Sequence, residues 1–449
     1  MDLSRRNFLF LTGGAACAVA SGCATNPVTG RKQLMFISEQ NEIAVDQKWA
    51  PHQFSADYGA VRNSGINQYV SEIGMRMAKL THRPQMPYNF RVLNTVVVNG
   101  YTFPAGSVGL ARGLMISMDN EAELAAVLGH ELAHVNHRHS SSRQTKGLLA
   151  AGTVIALAAY LEYEESEYTE LSAGLGAIGA NLLLSRYSRE HEREADSTGT
   201  RYMVSSAYPA QGMSELMEVF LRLKRKAPSV VDLLFATHPL SKERYRVARE
   251  RAKTVYPKSS EFNRGRERYM DNIAWLRARE GAIRKLQDGE AFMRKGKYDE
   301  AEESFKEALK QEPDDYAGLM LMAKCQIAKE QYKDAVRFSG LARQSYPGEP
   351  QAHHISGIAN LKSGEYSEAF QQFSEYERLL PGNDNTIFYK GLSLEKQGRR
   401  KMAAQEYTRY CRNQTSGEQY EYALGRLRQW GYVKADQANG PAQKNRGAK

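Results

Sequence analysis

Apolar residues recur at intervals of three and four positions over most of the chain, and this helical period predicts a mainly α protein. The first such stretch runs from about Ser38 to Leu80, with one interruption by proline and glycine. The segment from Phe90 to Gly109 differs, because it is rich in valine, phenylalanine and tyrosine and contains Asn99-Gly100. This pattern predicts short strands with a turn. We therefore expect an α+β domain in which a small β-sheet lies beside helices.

From residue 282 onward the pattern repeats every 34 residues, which is the period of tetratricopeptide repeats. Alanine fits the close crossing of paired helices, and proline ends the second helix of a pair. The recurring positions are Pro313, Pro347 and Pro381; Tyr298, Tyr332 and Tyr366; and Ala301, Ala335, Ala369 and Ala403. Glycine marks the turn between paired helices at 296, 364 and 398, and Glu330 fills that position in the second repeat. We expect four repeats, starting at residues 282, 316, 350 and 384, stacked into an α-solenoid.

The N-terminal segment has the layout of an export signal. Arg5-Arg6 precedes an apolar run, Phe8 to Ala20, that is shorter than the roughly twenty residues needed to span a bilayer. The paired arginines favour the twin-arginine route. The run ends in a lipobox-like sequence before Cys23, which predicts a lipid on Cys23 and an anchor in the outer membrane; Ala24 suits that membrane. The alternative is a small-residue cleavage site without lipid. Either way we expect a periplasmic protein.

The composition narrows the range of partners. The formal net charge is +10, but basic and acidic residues are interleaved, so we expect a solvated surface and no nucleic acid partner. Two apolar segments, at 148–160 and 171–184, are shorter than a membrane span and contain glycine, which favours buried helices. Cys325 and Cys411 fall in helical repeats about two repeats apart, so we expect two thiols and no bridge.

The strongest chemical motif is His130-Glu131-Leu132-Ala133-His134, which follows a helix-start signal at 119–121. Two histidines four residues apart on a helix are rotated by about 40° and separated by roughly 6 Å, so both can hold one metal ion. Glu131 is swung about 100° round the helix, where its carboxylate can act as a general base without displacing a ligand. This spacing predicts a zinc peptidase.

A catalytic zinc site needs a third protein ligand, which the motif does not supply. The metzincin arrangement is excluded, because it requires histidine at 140 and glycine at 137, where this chain has serine and histidine. His139 is expected on the opposite face of the helix, and His137 further along its axis; both are interpreted as local hydrogen-bonding residues. The acidic segment 188–196 is a better source. Its spacing leaves three alternatives open: Glu192 with Asp196, Glu190 with Glu194, or His191 alone.

These motifs carry a family resemblance. His130-Glu131-x-x-His134, then Glu192-x-Glu194-Ala195-Asp196, then Thr237-His238-Pro239 with Arg244, resemble the zinc endopeptidases of the HtpX and CAAX prenyl protease type. In that family the glutamate of the E-x-x-x-D motif is the third zinc ligand, and the aspartate supports a ligand from behind. The resemblance therefore selects Glu192 and Asp196. It implies one zinc ion per chain.

The resemblance also assigns three further roles. The segment 99–106 is similar to a family strand that binds substrate by edge pairing, which makes Asn99, Tyr101 and Phe103 candidate substrate-binding residues. Gly100, Tyr101 and Ala105 depart from the family pattern. His238 either occupies the open zinc position and keeps the enzyme latent, or stabilises the oxyanion with Arg244; a plain loop histidine is the packing alternative.

The combined features give an expected organisation. An export signal at 1–23 precedes a zinc metalloprotease domain at 24–262, a helical linker at 263–281, tetratricopeptide repeats at 282–433 and a disordered tail at 434–449. Together these parts resemble periplasmic proteases that maintain outer-membrane assembly. The resemblance implies an endopeptidase for misfolded or misassembled envelope proteins, whose repeats recruit substrates or the outer-membrane assembly machinery. The alternative is an assembly factor or chaperone whose protease site is latent.

Overall fold

The computed structural model describes residues 23–151 and 186–433. The expected mainly α fold with a small sheet is confirmed. The N-terminal elements are, in chain order, β1 (Cys23–Thr25), β2 (Lys32–Leu34), α1 (Glu39–Ala56), α2 (Ser64–Ala78), β3 (Asn89–Leu93), β4 (Gly100–Thr102), β5 (Ser107–Ala111), α3 (Arg112–Met115), α4 (Glu121–Asn136), α5 (His139–Ala151), α6 (Arg189–Ser205), α7 (Gln211–Lys226), α8 (Pro228–Thr237) and α9 (Lys242–Thr254).

The remaining elements are helical. A 3₁₀ turn (Pro257–Glu261) leads to α10 (Arg266–Asn272), α11 (Ala274–Ala278), α12 (Glu280–Met293), α13 (Tyr298–Gln311), α14 (Tyr316–Ala328), α15 (Tyr332–Ser345), α16 (Gln351–Lys362), α17 (Tyr366–Leu379), α18 (Asp384–Lys396), α19 (Arg400–Asn413) and α20 (Glu418–Gln429). No described helix is both long and apolar enough to cross a membrane.

Two small sheets form in the N-terminal part. β1 pairs antiparallel with β2 across a turn in which the Asn26 side chain accepts from the backbone N–H groups of Val28 and Thr29. The other sheet has the order β3-β5-β4, with β3 parallel and β4 antiparallel to β5, so β4 is an edge strand in the described part of the chain. The turn predicted for this segment does not lie at Asn99-Gly100. Gly100 already belongs to β4, and the turn between β4 and β5 uses Gly106 at φ +102°.

Helix α4 lies at the centre of the N-terminal core. Asn120 caps its start by accepting from the N–H of Glu123, as the sequence predicted, and every residue of the helix is buried. Its closest neighbour is α6, and the two helices meet at Gly129 and Gly199. A Cβ added to Gly199 would lie 2.8 Å from the backbone of Gly129, so any larger residue would push the helices apart.

The C-terminal helices α12 to α19 form four successive antiparallel pairs followed by α20. Each pair turns through a left-handed residue, namely Gly296, Glu330, Gly364 and Gly398 at φ 67°, 57°, 84° and 74°. The recurring alanines are all fully buried, since the paired helices cross closest there. Tetratricopeptide packing therefore follows directly from the 34-residue pattern.

Buried polar contacts join the helical repeats to the N-terminal part. Arg112, just after β5, forms a bidentate ion pair with Asp315, with distances of 2.6 and 2.9 Å. Lys324 donates to the hydroxyl of Tyr58 at 3.0 Å, and the hydroxyl of Ser55 donates to Glu349. These partners are far apart in the sequence.

Some sequence-based expectations fall on residues that the structure does not describe, and one concerns the two cysteines of the repeats. The export signal, most of the two apolar segments between 148 and 184, and the tail lie outside the described residues. Cys325 and Cys411 are free thiols, as expected.

Candidate metal centre

Three side chains from two helices converge at the centre of the N-terminal domain. His130 and His134, on α4, face each other with their Nε2 atoms 3.0 Å apart. The carboxylate of Glu192, on α6, lies 3.7 Å from His130 Nε2 and 3.5 Å from His134 Nε2. All three side chains are buried. Burial opposes ionisation of Glu192, but His238 and His134 outweigh it and hold its pKa well below the usual range.

The carboxylate of Asp196 lies behind His130. Its Oδ1 is 3.1 Å from His130 Nδ1, the ring nitrogen that faces away from Glu192. Glu192 and Asp196 lie one helical turn apart on α6, so they project on the same face. An acceptor at Nδ1 fixes the proton there and leaves the Nε2 lone pair turned toward a metal ion. The alternative pairs with Glu190 or His191 do not form this arrangement.

Arg244, at the start of α9, bridges the two carboxylates. Its Nε and Nη2 donate to Asp196, both at 2.7 Å, and its Nη1 donates to Glu192 at 2.5 Å and to the carbonyl oxygen of Pro239 at 2.9 Å. The guanidinium is therefore already committed to carboxylates and a backbone carbonyl. It holds both side chains in place by charge-assisted bonds.

Glu131 lies next to the converging side chains and is buried. Its Oε2 has no hydrogen-bond partner among the described residues. Burial raises the pKa of this carboxyl, while the nearby charges of His238 and His130 lower it, and burial prevails. A buried carboxylate with a free acceptor atom and a raised pKa is suited to general-base chemistry.

His238 follows the C-terminus of α8 and joins the cluster. Its Nδ1 is 3.1 Å from Glu192 Oε1 and 3.4 Å from His130 Nε2, so it adds a fourth donor to the group. The neighbouring cavity has a volume of only about 40 Å³. Apolar side chains of α7 and α8 line most of it, among them Met213, Leu216, Met217, Phe220, Leu234 and Phe235.

The candidate substrate strand is only partly near this group. Gly100 lines the cavity beside the histidines. Tyr101 and Phe103 pack in a separate cluster with Trp49 of α1, and Tyr101 donates to Asp57 at 2.6 Å. Asn99 is buried, and its Oδ1 has no partner among the described residues. The structure thus does not bring the three side chains to the metal ligands.

His139 is not on the opposite face of the motif helix, so that expectation was wrong. Helix α4 ends at Asn136, and the left-handed residue Arg138, at φ 59°, redirects the chain into α5. His139 Nδ1 therefore lies 2.9 Å from His134 Nδ1, and its Nε2 lies 3.0 Å from Glu194.

The donor set fits a zinc ion. Two neutral imidazole nitrogens and one carboxylate form the three-ligand pattern of catalytic zinc sites. The unpartnered Oε2 of Glu131 provides an independent observation, because a buried carboxylate oxygen requires a donor in its vicinity. The ligands that would hold the ion are His130, His134 and Glu192.

Comparison with known proteins agrees with this architecture. Residues 65–252 match Peptidase family M48, and residues 292–357 match a tetratricopeptide repeat. The motif-based resemblance is thus confirmed: the chain contains a peptidase family M48 domain followed by tetratricopeptide repeats, and this combination supports a metalloprotease.

Curated relatives are similar to all or part of this chain. The chain is 25% identical over 386 residues to the Beta-barrel assembly-enhancing protease of Escherichia coli (strain K12), covering 81% of this chain and 79% of the relative. It is 30% identical over 198 residues to a Putative beta-barrel assembly-enhancing protease of Vibrio cholerae, covering 43% and 40%. The Metalloprotease YcaL of Escherichia coli (strain K12) is 29% identical over 211 residues, covering 44% and 80%.

Proposed function

We propose that this chain is a zinc-dependent endopeptidase of the HExxH type that hydrolyses misfolded or misassembled proteins of the bacterial envelope. The observation that carries the proposal is the convergence of His130, His134 and Glu192 beside the buried, unpartnered carboxylate of Glu131. Zinc held by these ligands would polarise the scissile carbonyl and lower the pKa of a water molecule.

Each remaining residue of the site has a defined role in this proposal. Glu131 takes a proton from the attacking water and passes it to the leaving amine nitrogen. Asp196 holds the proton of His130 on Nδ1, which keeps Nε2 available for the metal. Arg244 positions Glu192 and Asp196, because its donors are committed to them and to Pro239. A zinc ion at this site would also stabilise the oxyanion, and His238 either assists it there or closes the open zinc position.

The edge strand and the apolar cavity are the parts of the site that we propose to bind substrate. β4 is an edge strand of the described sheet, so an extended substrate can pair with its backbone. We interpret the contribution of Asn99, Tyr101 and Phe103 as one of backbone and packing, because the last two side chains pack away from the histidines. The apolar lining beside His130 suits the side chains that unfolded proteins expose.

The repeats supply the recruiting surface in this proposal. A cavity of about 510 Å³ lies between α14, α16, α18 and α20, and its apolar lining includes Ile327, Ile358, Leu361 and Phe388. A segment of a protein substrate, or of an outer-membrane assembly partner, fits a surface of this chemistry. The assembly partner is supported by the name of the Escherichia coli relative, and the periplasmic location by the twin-arginine signal. A lipid on Cys23 would hold the chain at the outer membrane.

A second function, as an assembly factor with a latent protease site, is favoured by one observation. His238 adds a fourth donor where catalysis requires an open position. Latency and proteolysis are compatible if movement of His238 opens the site.

The decisive experiment measures zinc content and casein cleavage in the purified mature chain and in Glu131→Gln. We expect one zinc ion per chain in both proteins and a loss of cleavage of about 10²- to 10⁴-fold in the variant. The matched control is Glu290→Gln, since Glu290 is also a buried glutamate with an unpartnered Oε2 but lies on α12. Full cleavage by Glu131→Gln, or wild-type protein that binds no zinc, would refute the proposal.

A further inference from the structure

A second group of ionisable side chains touches the metal ligands from behind. His134 Nδ1 lies 2.9 Å from His139 Nδ1, and His139 Nε2 lies 3.0 Å from Glu194 Oε2. His134 and His139 are almost fully buried, whereas Glu194 is partly exposed. The three side chains thus form a continuous hydrogen-bonded chain that starts at solvent and ends at a metal ligand.

The order of protons along this chain follows from its end group. An ionised carboxylate only accepts, so the ring nitrogen facing Glu194, which is His139 Nε2, carries a proton. A neutral imidazole has one ring proton, so His139 Nδ1 is then an acceptor. His134 must place its proton on Nδ1 to fill that short contact, and its Nε2 keeps a lone pair. That Nε2 is the atom that faces His130 and Glu192.

We propose that Glu194 and His139 are positioning residues that fix the tautomer and ring orientation of His134, as Asp196 does for His130. This inference rests on the proposed function, because it assigns the two residues a role toward the metal. It also gives three acidic residues of α6 related tasks. Glu192 is a ligand, Asp196 supports one histidine directly, and Glu194 supports the other through His139.

The hydrogen-bonded chain is incompatible with a second cation site built from some of the same residues. His137, His139 and Glu194 bring their donor atoms close enough to share a cation. A cation on His139 Nε2 would displace its proton to Nδ1, where it would point at His134 Nδ1. His134 would then hold its proton on Nε2 and lose its lone pair toward the metal. A cation in this second group and a metal on His134 are therefore mutually exclusive.

The tautomers can be observed directly without any substitution. The zinc-loaded full chain is labelled with ¹⁵N-histidine, and long-range ¹H–¹⁵N correlation spectra are recorded. We expect one protonated nitrogen on each ring, Nδ1 for His134 and Nε2 for His139. A proton on His139 Nδ1, or a doubly protonated His139, overturns the proposal.

Variants test whether the positioning of His134 strengthens zinc binding. The zinc affinity is measured by competition with a chromogenic chelator. We expect His139→Leu to weaken zinc binding by about 10- to 100-fold, because it removes the acceptor for His134 Nδ1–H. His139→Asn should restore most of the affinity, since its amide oxygen can accept in the position of the ring Nδ1. The control is His137→Asn, which belongs to the cation group but not to the hydrogen-bonded chain.

The outcomes separate this inference from the proposed function. Wild-type protein that binds no zinc refutes the proposed function. Tight zinc binding by folded His139→Leu, with wild-type zinc binding intact, refutes the positioning role alone. A loss in His137→Asn equal to that in His139→Leu also overturns it, in favour of a second cation group.

Discussion

Arg112 and Asp315 form a buried bidentate ion pair that ties the end of the sheet to the first helix of the second repeat, α14. Asp315 also caps α14, because its Oδ1 accepts from the N–H of Gly318 at 2.8 Å. Asp315 therefore has two roles: it pairs with Arg112 and it is the N-cap of α14. Burial opposes its ionisation, but Arg112 prevails and holds its pKa below the usual value.

We expect Arg112→Leu to lower the free energy of unfolding by about 3–5 kcal/mol, because it leaves a buried charge without its partner. Urea unfolding followed by circular dichroism measures the change. The control is Arg337→Ala, which breaks an exposed pair with Asp334 and should cost less than about 1 kcal/mol. Equal effects of the two substitutions would show that the buried pair contributes nothing special.

The contact between Gly129 and Gly199 leads to a prediction about the metal ligands. Gly199→Ala should separate α4 from α6, weaken zinc binding and destabilise the fold by about 1–3 kcal/mol, because its Cβ has no space. The control is Gly425→Ala on α20, where nothing lies within 4 Å. Alanine in an exposed helix should stabilise the protein there by up to about 1 kcal/mol. Chelator competition and urea unfolding measure both effects, and stabilisation by Gly199→Ala would contradict the prediction.

His238 provides a test of latency. We expect His238→Ala to cleave casein faster than wild type, because the substitution removes the donor that closes the site. An increase of about tenfold would correspond to a closed state favoured by about 1.4 kcal/mol. His353→Ala, on α16, controls for the loss of a histidine elsewhere. A fall in cleavage at unchanged zinc content would instead assign His238 to the oxyanion.

Glu349, at the contact between the repeats and α1, predicts a dependence of stability on pH. Burial raises the pKa of its carboxyl to about 7, despite hydrogen bonds from Ser55 and the N–H of Gln351. A carboxyl whose pKa is higher in the folded state favours folding when protonated. Its contribution is therefore present below pH 4.5 and is lost as the pH rises to about 7.

Glu349→Gln should remove this dependence. We expect the variant to gain stability relative to wild type between pH 5 and pH 8, by up to about 3 kcal/mol. Urea unfolding at both pH values measures the difference, with Glu303→Gln on the exposed face of α13 as control. The same pH dependence in Glu349→Gln and wild type would place the cause elsewhere.

Much of the fold follows from short-range patterns in the sequence. The 34-residue period fixes which residues pair the C-terminal helices, because each repeat contacts its neighbours. The cap at Asn120 and the spacing of His130 and His134 are equally local. These features require only the geometry of one helix or one pair.

Other features of the site depend on contacts that no local pattern encodes. Spacing alone left the third ligand open among Glu190, His191 and Glu192, because α6 packs against α4 only through the tertiary fold. Helical spacing wrongly predicts His139 on the face of α4 opposite the metal ligands, because the left-handed residue Arg138 follows the end of the helix and redirects the chain. The glycines inside these two helices, Gly129 and Gly199, are the sequence signals of the close helix approach.

The commitment of Arg244 has a consequence for metal exchange. One guanidinium holds two carboxylates that would otherwise repel each other and drift apart. Because the charge of Arg244 belongs to the protein itself, the repulsion between Glu192 and Asp196 is offset whether or not a metal ion is bound. We infer that loading and unloading are local, reversible events in a standing framework, unlike those of domains that fold only around their metal.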